Sequence, residues 1–304
     1  MQFTKAERKK AKLRLALTGP SGSGKTWGAL DIAQGIGGRI AVIDTEKGSA
    51  SLYSHRCDFD TLELSAPFTP ERYVEAINAA EAAGYDVIVI DSASHEWSGS
   101  GGCLDANDVT ARTKFQGNTW AAWNLTTPRH RAFIDAMLQS RCHIIATGRS
   151  KTETVQSDGP NGKKKVVKLG MKTEQRDGFE YEFTVVLDIT HDGHYATASK
   201  DRTELFGGDA EPISIETGKK LRAWLDSGAE AVDPPAQPAP AIGMPANVLA
   251  DWLAYFETVS DIEELSKQKT KASESAMNIG DETSYRALRA AANARYKVLA
   301  KVVA

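Results

Sequence analysis

The 304-residue chain holds only three cysteines, Cys57, Cys103 and Cys142. They are odd in number and scattered, and no Cys-x-x-Cys pair occurs, so neither a disulfide framework nor a zinc site is indicated. No run approaches the roughly 20 apolar residues a membrane helix needs. The basic start, MQFTKAERKKAK, leads into a short apolar run, LRLALTG, rather than the apolar core of an export signal. These absences point to a reducing, cytoplasmic setting with no membrane role. Nor is there an excess of positive charge: 37 Lys and Arg face 40 Asp and Glu, a formal net charge of −3. The whole molecule is therefore not a strongly basic nucleic-acid binder. Any such contact has to come from a local patch or from several assembled copies.

What is present is an alternation of strand and helix signals through residues 1–228. Short apolar runs at 13–17, 39–44 (RIAVID), 86–91 (DVIVID) and 143–147 (HIIAT) read as buried strands. Residues 26–35, 70–83, 129–140 and 215–227 read as helices. Residues 181–190 and 194–199 read as two strands joined at Asp192-Gly193, a hairpin turn signal. Continuous apolar strands alternating with helices predict an α/β fold, a mostly parallel sheet covered on both faces. Residues 229–246 carry five prolines and read as a semi-extended linker. Beyond it, 248–258, 261–268 and 283–303 read as a small C-terminal helical domain spanning 247–304, with Ser260 to Glu263 fitting a capping box. Two long polar stretches, 97–119 and 151–178, read as functional or mobile loops.

Residues 19–26 read Gly19-Pro20-Ser21-Gly22-Ser23-Gly24-Lys25-Thr26. They satisfy the phosphate-loop pattern G-x-x-x-x-G-K-S/T, after an apolar strand and before a helical segment as that motif requires. The glycines let successive backbone N–H groups face phosphate oxygens, and the positive end of the following helix, running on through Trp27, adds to the attraction. Lys25 is placed to reach the β and γ phosphates, and the Thr26 hydroxyl to bind Mg²⁺. Asp91, closing the most apolar strand, is the second candidate magnesium residue. ATP hydrolysis also needs a base that polarises water in line with the γ phosphate. Glu46, just past RIAVID, and Glu96, five residues after Asp91, both qualify on position.

The succession GPSGSGKT, IDTEKG and VIVIDSASHEW resembles the ATPase core of RecA-like proteins. The resemblance covers about residues 12–228 and implies a RecA-like P-loop NTPase fold with ATP and Mg²⁺. It assigns the water-activating role to Glu46 and the magnesium role to Asp91. The family's γ-phosphate sensor would fall in HIIATGRSK, at Thr147 and Arg149, where the usual glutamine is absent. SKDRTELF, at 199–206, resembles the Lys-x-Arg segment of hexameric RecA-type helicases and related recombinases. That likeness implies that Lys200 and Arg202 reach into a neighbouring subunit's site, and so a ring or filament. A solvated charged turn accounts for the same residues. TGRSK and SKDRT bring the chain nearest to small phage ATP-binding proteins of the group that includes single-strand annealing proteins.

Two functions follow. In the first, the ATPase serves phage DNA recombination or annealing and binds single-stranded DNA through loops 97–119 and 151–178. Lys163, Lys164, Lys165 and Lys168 would then lie along the phosphate backbone. In the second, the ATPase is a switch that remodels or recruits a protein partner without touching DNA. The C-terminal domain, with eight Lys/Arg against eight Asp/Glu in 247–304, suits a protein partner at least as well.

Overall fold

The structure is a computed structural model and describes residues 5, 7, 8, 10–158, 164–229, 246–278 and 282–303. The chain divides into two compact units, Met1–Ala231 and Val232–Ala304. Among the described residues the first is built on nine strands: β1 (Arg14–Gly19), β2 (Ile40–Asp44), β3 (Asp60–Glu63), β4 (Val87–Asp91), β5 (His143–Asp158), β6 (Lys164–Thr173), β7 (Val185–Ile189), β8 (Tyr195–Asp201) and β9 (Glu211–Pro212). Their spatial order is β3-β2-β4-β5-β1-β7-β8-β9, with β6 paired to β5 off that path. The six from β3 to β7 run parallel, while β8 and β9 run antiparallel at one edge.

Six α-helices accompany them among the described residues: α1 (Lys25–Ile36), α2 (Pro70–Ala82), α3 (Ser94–Ser98), α4 (Cys103–Lys114), α5 (Thr119–Gln139) and α6 (Ile215–Asp226). Successive strand residues point to opposite faces, and each face has its own core. Ile88 and Ile90 join Ile43 and Ile144 beneath Tyr73 and Ile77 of α2 and Phe133 and Met137 of α5. Val87 and Val89 join Leu15, Leu17 and Ile145 beneath Leu30 and Ile32 of α1 and Leu221 and Leu225 of α6. The expected mostly parallel, two-faced α/β sheet is the fold observed.

Several local expectations are corrected. The helix expected from residue 129 starts ten residues earlier, because Asn118 caps it by accepting from Ala121 N at 3.1 Å and it continues through Pro128. Packing against α4 outweighs the bond lost at the proline. The polar stretch 97–119 is no open loop: α4 forms there on a narrow stripe of buried Cys103, Asn107 and Ala111, one helical turn apart. The stretch 151–178 is mainly a hairpin, β5 running on to Asp158 and pairing antiparallel with β6. In the second unit, α7 (Ala246–Thr258), α8 (Ile262–Asn278) and α9 (Glu282–Val303) pack around Phe256, Leu265, Ala272, Leu288 and Leu299. The start of α8 is capped by Asp261, which accepts from Glu264 N at 2.7 Å, one position beyond the expected Ser260.

Helix α1, which carries the phosphate loop's lysine and threonine, meets α6 backbone to backbone. A Cβ on Gly35 would lie 2.2 Å from the Ile215 carbonyl oxygen and 2.7 Å from Gly218 Cα. Alanine for glycine in a helix ordinarily stabilises by about 1 kcal/mol. Here Gly35→Ala is expected to destabilise by about 1–3 kcal/mol through overpacking, read as a lower midpoint in urea unfolding; an unchanged or higher midpoint contradicts the close-packing account.

Candidate nucleotide site

The strand order places the ends of β2, β4, β5 and β1 side by side. Asp44 pairs with Asp91 in the β2–β4 register, and Arg149 pairs with Gly19 in the β5–β1 register. Side chains from four sequence-distant segments therefore meet above one sheet edge, at its carboxyl end, where open α/β sheets hold ligands. The cleft there measures about 350 Å³ and is lined by Ser21, Gly22, Gly24, Lys25, Thr26, Trp27, Glu46, Ser49, Tyr53, Asp91 and Arg149.

The phosphate loop takes its shape from two left-handed glycines, Gly22 (φ 78°) and Gly24 (φ 88°), a region that favours residues without a Cβ. Gly19 is constrained differently, since a Cβ there would lie 2.5 Å from Ser23 Oγ and 2.6 Å from the Ile189 carbonyl. Ser23 is buried beneath the loop and does not line the cleft. Lys25 Nζ donates to the carbonyls of Gly19 (3.0 Å) and Pro20 (2.7 Å), and burial holds its pKa below the usual lysine value. Trp27 lies against the cleft wall, with the Arg56 guanidinium 3.8 Å from its ring centroid and Tyr53 edge-on at 5.9 Å. Asp31 anchors Arg56 through both oxygens, at 2.7 and 2.9 Å. Tyr53, Ser49 and Arg56 carry no motif, and no sequence signal placed them here.

Asp91 is almost wholly buried. Its Oδ2 accepts from the Thr26 hydroxyl at 2.6 Å and its Oδ1 from the Thr147 hydroxyl at 2.5 Å. Burial raises its pKa above the ordinary 3.8, and the two threonine bonds pull the other way. The pair Thr26–Asp91 fits a magnesium ion, since a hydroxyl and a carboxylate converge, all-oxygen donors suit that hard cation, and a positive charge would offset the desolvated carboxylate. Thr147 thus supports Asp91 directly.

Glu46 is placed by a turn. Asp44 accepts from Glu46 N (2.6 Å) and Ala50 N (2.9 Å), and the chain reverses through Lys47 and Gly48 at positive φ. Across the cleft Arg149 grips Glu46 by a forked contact, Nη2 lying 2.7 and 2.8 Å from the two oxygens and Nε 3.1 Å from one. Arg149 N donates to Ser94 Oγ at 2.9 Å, which fixes its backbone beside α3. His95 meets the Thr45 hydroxyl at 2.7 Å, and burial, with Arg149 nearby, holds its pKa below the usual histidine value. Glu96, the rival base, is fully buried on the far side of this segment, bonded to His130 and Gln175, and does not line the cleft.

The turn between β7 and β8 also reaches the phosphate loop. His194 Nδ1 lies 3.0 Å from the Ser23 carbonyl, and His191 Nε2 stands 3.4 Å from where a Gly22 Cβ would be. The Asp192-Gly193 signal foretold the turn but not its destination. Lys200 and Arg202 are not brought to the cleft of their own chain. Lys200 pairs with Val186, level with Ala16, so its backbone sits about 10 Å down the sheet from Gly19 and two strands across. Its Nζ donates to the carbonyls of Glu180 (3.2 Å) and Tyr181. Arg202 follows the end of β8 and is exposed. Lys164, Lys165 and Lys168 lie on β6, while Lys163 falls outside the described residues.

Because Asp91 is more easily protonated folded than unfolded, its contribution to stability declines as pH rises above 3.8. Asp91→Asn is therefore expected to raise Tm at neutral pH while losing the further Tm increase that magnesium and nucleotide give the parent chain. A lower Tm for the variant, with the ligand increment intact, contradicts both halves.

None of the curated proteins matches this chain. A family model described as an AAA domain matches residues 11–210, from just before β1 to just before β9 and across every residue of the cleft. With a complete phosphate loop and its acidic partner on a mostly parallel sheet flanked by helices, the chain belongs to this AAA-domain family of P-loop ATPases.

Proposed function

We propose that the chain is a magnesium-dependent ATP hydrolase of RecA-like type, with Glu46 as the base. The observation that carries this reading is the convergence of Lys25, Thr26, Glu46, Asp91 and Arg149 on one cleft of about 350 Å³. Phosphoryl transfer to water asks mainly for positioning and for charge opposite the transferring group. The loop N–H groups and Lys25 bind the phosphates. Thr26 and Asp91 would hold magnesium, which when bound neutralises phosphate charge. Glu46 is set to accept a proton from the attacking water. As it stands both its oxygens are taken by Arg149, so neither faces a water free of that contact. A γ phosphate within reach of Arg149 competes for the same guanidinium and frees Glu46. On this reading, hydrolysis starts only once a triphosphate is seated.

Lys200 and Arg202, remote from their own cleft, fit the role of cations offered to a neighbouring copy in a ring or filament. Single-stranded DNA is the proposed partner, contacted by the β5–β6 hairpin that bears Lys164, Lys165 and Lys168. One observation favours the other reading, a nucleotide-driven switch acting on a protein. The stretch 97–119, expected as a second DNA loop, is largely the packed helix α4, leaving one candidate DNA element instead of two.

Glu46→Gln is expected to keep ATP binding and cut turnover about 100-fold or more, the usual size of a general-base contribution, in a steady-state phosphate-release assay. Lys25→Ala should lose both binding and turnover. Mixing Lys25→Ala chains with a Lys200→Ala/Arg202→Ala double variant should restore measurable turnover if the cations act in trans; no recovery in an oligomer seen by light scattering removes that role.

Triple Lys164→Glu/Lys165→Glu/Lys168→Glu substitution is expected to abolish binding of a fluorescent single-stranded oligonucleotide at low salt and any stimulation of turnover by it. Binding unchanged by the triple variant, or absent from the parent chain, leaves the protein-switch reading standing.

A further inference from the structure

Behind the nucleotide cleft, a second set of polar groups meets in the core. Glu96 of α3, Cys103 at the start of α4 and His130 in the middle of α5 each offer a donor atom, all within 4.8 Å of one another. Glu96 and Cys103 are fully buried and His130 nearly so. Cys103 Sγ lies 3.0 Å from Glu96 Oε1, and His130 Nδ1 lies 3.1 Å from the same oxygen. A core seldom gathers a carboxylate, a thiol and an imidazole, because each costs free energy to bury and thiols are weak partners in hydrogen bonds.

We propose that Glu96, Cys103 and His130 form a binding site for a zinc-class divalent cation, separate from the nucleotide magnesium. Sulfur, nitrogen and oxygen together are the donor mix of zinc. Tetrahedral bonds of about 2.0–2.3 Å put ligand atoms about 3.3–3.6 Å apart. The observed 3.0 and 3.1 Å edges need to open by only a few tenths of an ångström around an ion. The charges balance as well: one carboxylate, one thiolate and one neutral imidazole cancel a divalent cation. Binding breaks the Cys103 S–H bond, forms the sulfur–metal bond and releases that proton to solvent, with no change of oxidation state.

The surroundings match what such an ion requires. Gln175 Nε2 donates to the other Glu96 oxygen at 3.2 Å and to the Ala93 carbonyl at 3.1 Å, orienting the carboxylate from outside. Trp97 stacks on Trp123 at 5.6 Å and meets His130 edge-on at 5.4 Å, giving the site an apolar wall. The chain between Glu96 and Cys103 folds back through a turn with no room for a side chain at Gly99 or Gly102. A Cβ on Gly102 would lie 2.6 Å from the Glu96 carbonyl oxygen, and one on Gly99 2.5 Å from that of His95. Three ligands leave the fourth position to water. Asn107, one turn along the buried stripe of α4, keeps a buried Oδ1 with no protein partner, an acceptor suited to that water. An ion here ties α3, α4 and α5 together directly behind Ser94, which holds Arg149.

The test uses the full chain. It is stripped with chelator and titrated with Co²⁺, and the near-ultraviolet thiolate-to-cobalt charge-transfer band is followed. The expected result is one equivalent bound with that band, displaced by Zn²⁺, a higher Tm with either ion, and close to one zinc per chain after purification from zinc-supplied cells. Cobalt at the magnesium position gives no thiolate band, so the two sites are distinguishable without measuring turnover. Cys103→Ser should remove the band, while Cys57→Ser and Cys142→Ser keep it. The parent chain decides the matter even if the Cys103 variant folds poorly. No thiolate band on titration, or a band that survives in Cys103→Ser, overturns the assignment.

Discussion

Everything at the nucleotide cleft depends on one buried carboxylate. Asp91 ends the central strand β4 where water is excluded, and two hydroxyls, from Thr26 and Thr147, hold it from either side. Each hydroxyl comes from a different element, so Asp91 ties α1 to β5 across the carboxyl end of the sheet. The arrangement is costly for the folded chain, since burial works against the charged form. That cost is what fits the position to a cation. A magnesium ion beside Asp91 would gain the interaction that the protein itself supplies only in part.

The same strand order explains the second pair in the cleft. With β5 lying between β4 and β1, Arg149 emerges between Asp91 and the phosphate loop, facing Glu46 from the far edge of β4. A forked arginine–carboxylate contact is strong and directional. It holds the Glu46 carboxylate still and occupies both its oxygens.

Some of this was legible beforehand because it is local. The phosphate loop is a run of consecutive residues whose glycines and lysine act within one turn, and the apolar strands RIAVID, DVIVID and HIIAT lie within single elements. Glu46 is legible in the same way, as the carboxylate just past the strand RIAVID. Other parts were not legible. Helix α4 rests on three buried positions in a polar stretch, too faint a stripe to separate from a loop. Helix α5 runs through a proline because its neighbours hold it there. The hairpin of β5 and β6 reads as charge and glycine, since its pairing partner is its own second half and not a core. The trio Glu96, Cys103 and His130 spans 35 residues with no metal-binding spacing, and it was met in sequence only as scattered residues.

The amino-acid sequence by itself determined that a triphosphate-binding loop sits between a strand and a helix, that the sheet is mostly parallel, and that a proline-rich segment precedes a helical end. Those properties follow from contacts between residues near in sequence or from the period of apolar side chains. Only the tertiary structure decided which strands are neighbours. It thereby decided that Thr147 supports Asp91, that Arg149 restrains Glu46, that Ser49 and Tyr53 border the cleft, and that Lys200 and Arg202 stand away from it. Strand order is set by how two apolar faces are covered at once, a property of the whole sheet that no single segment carries.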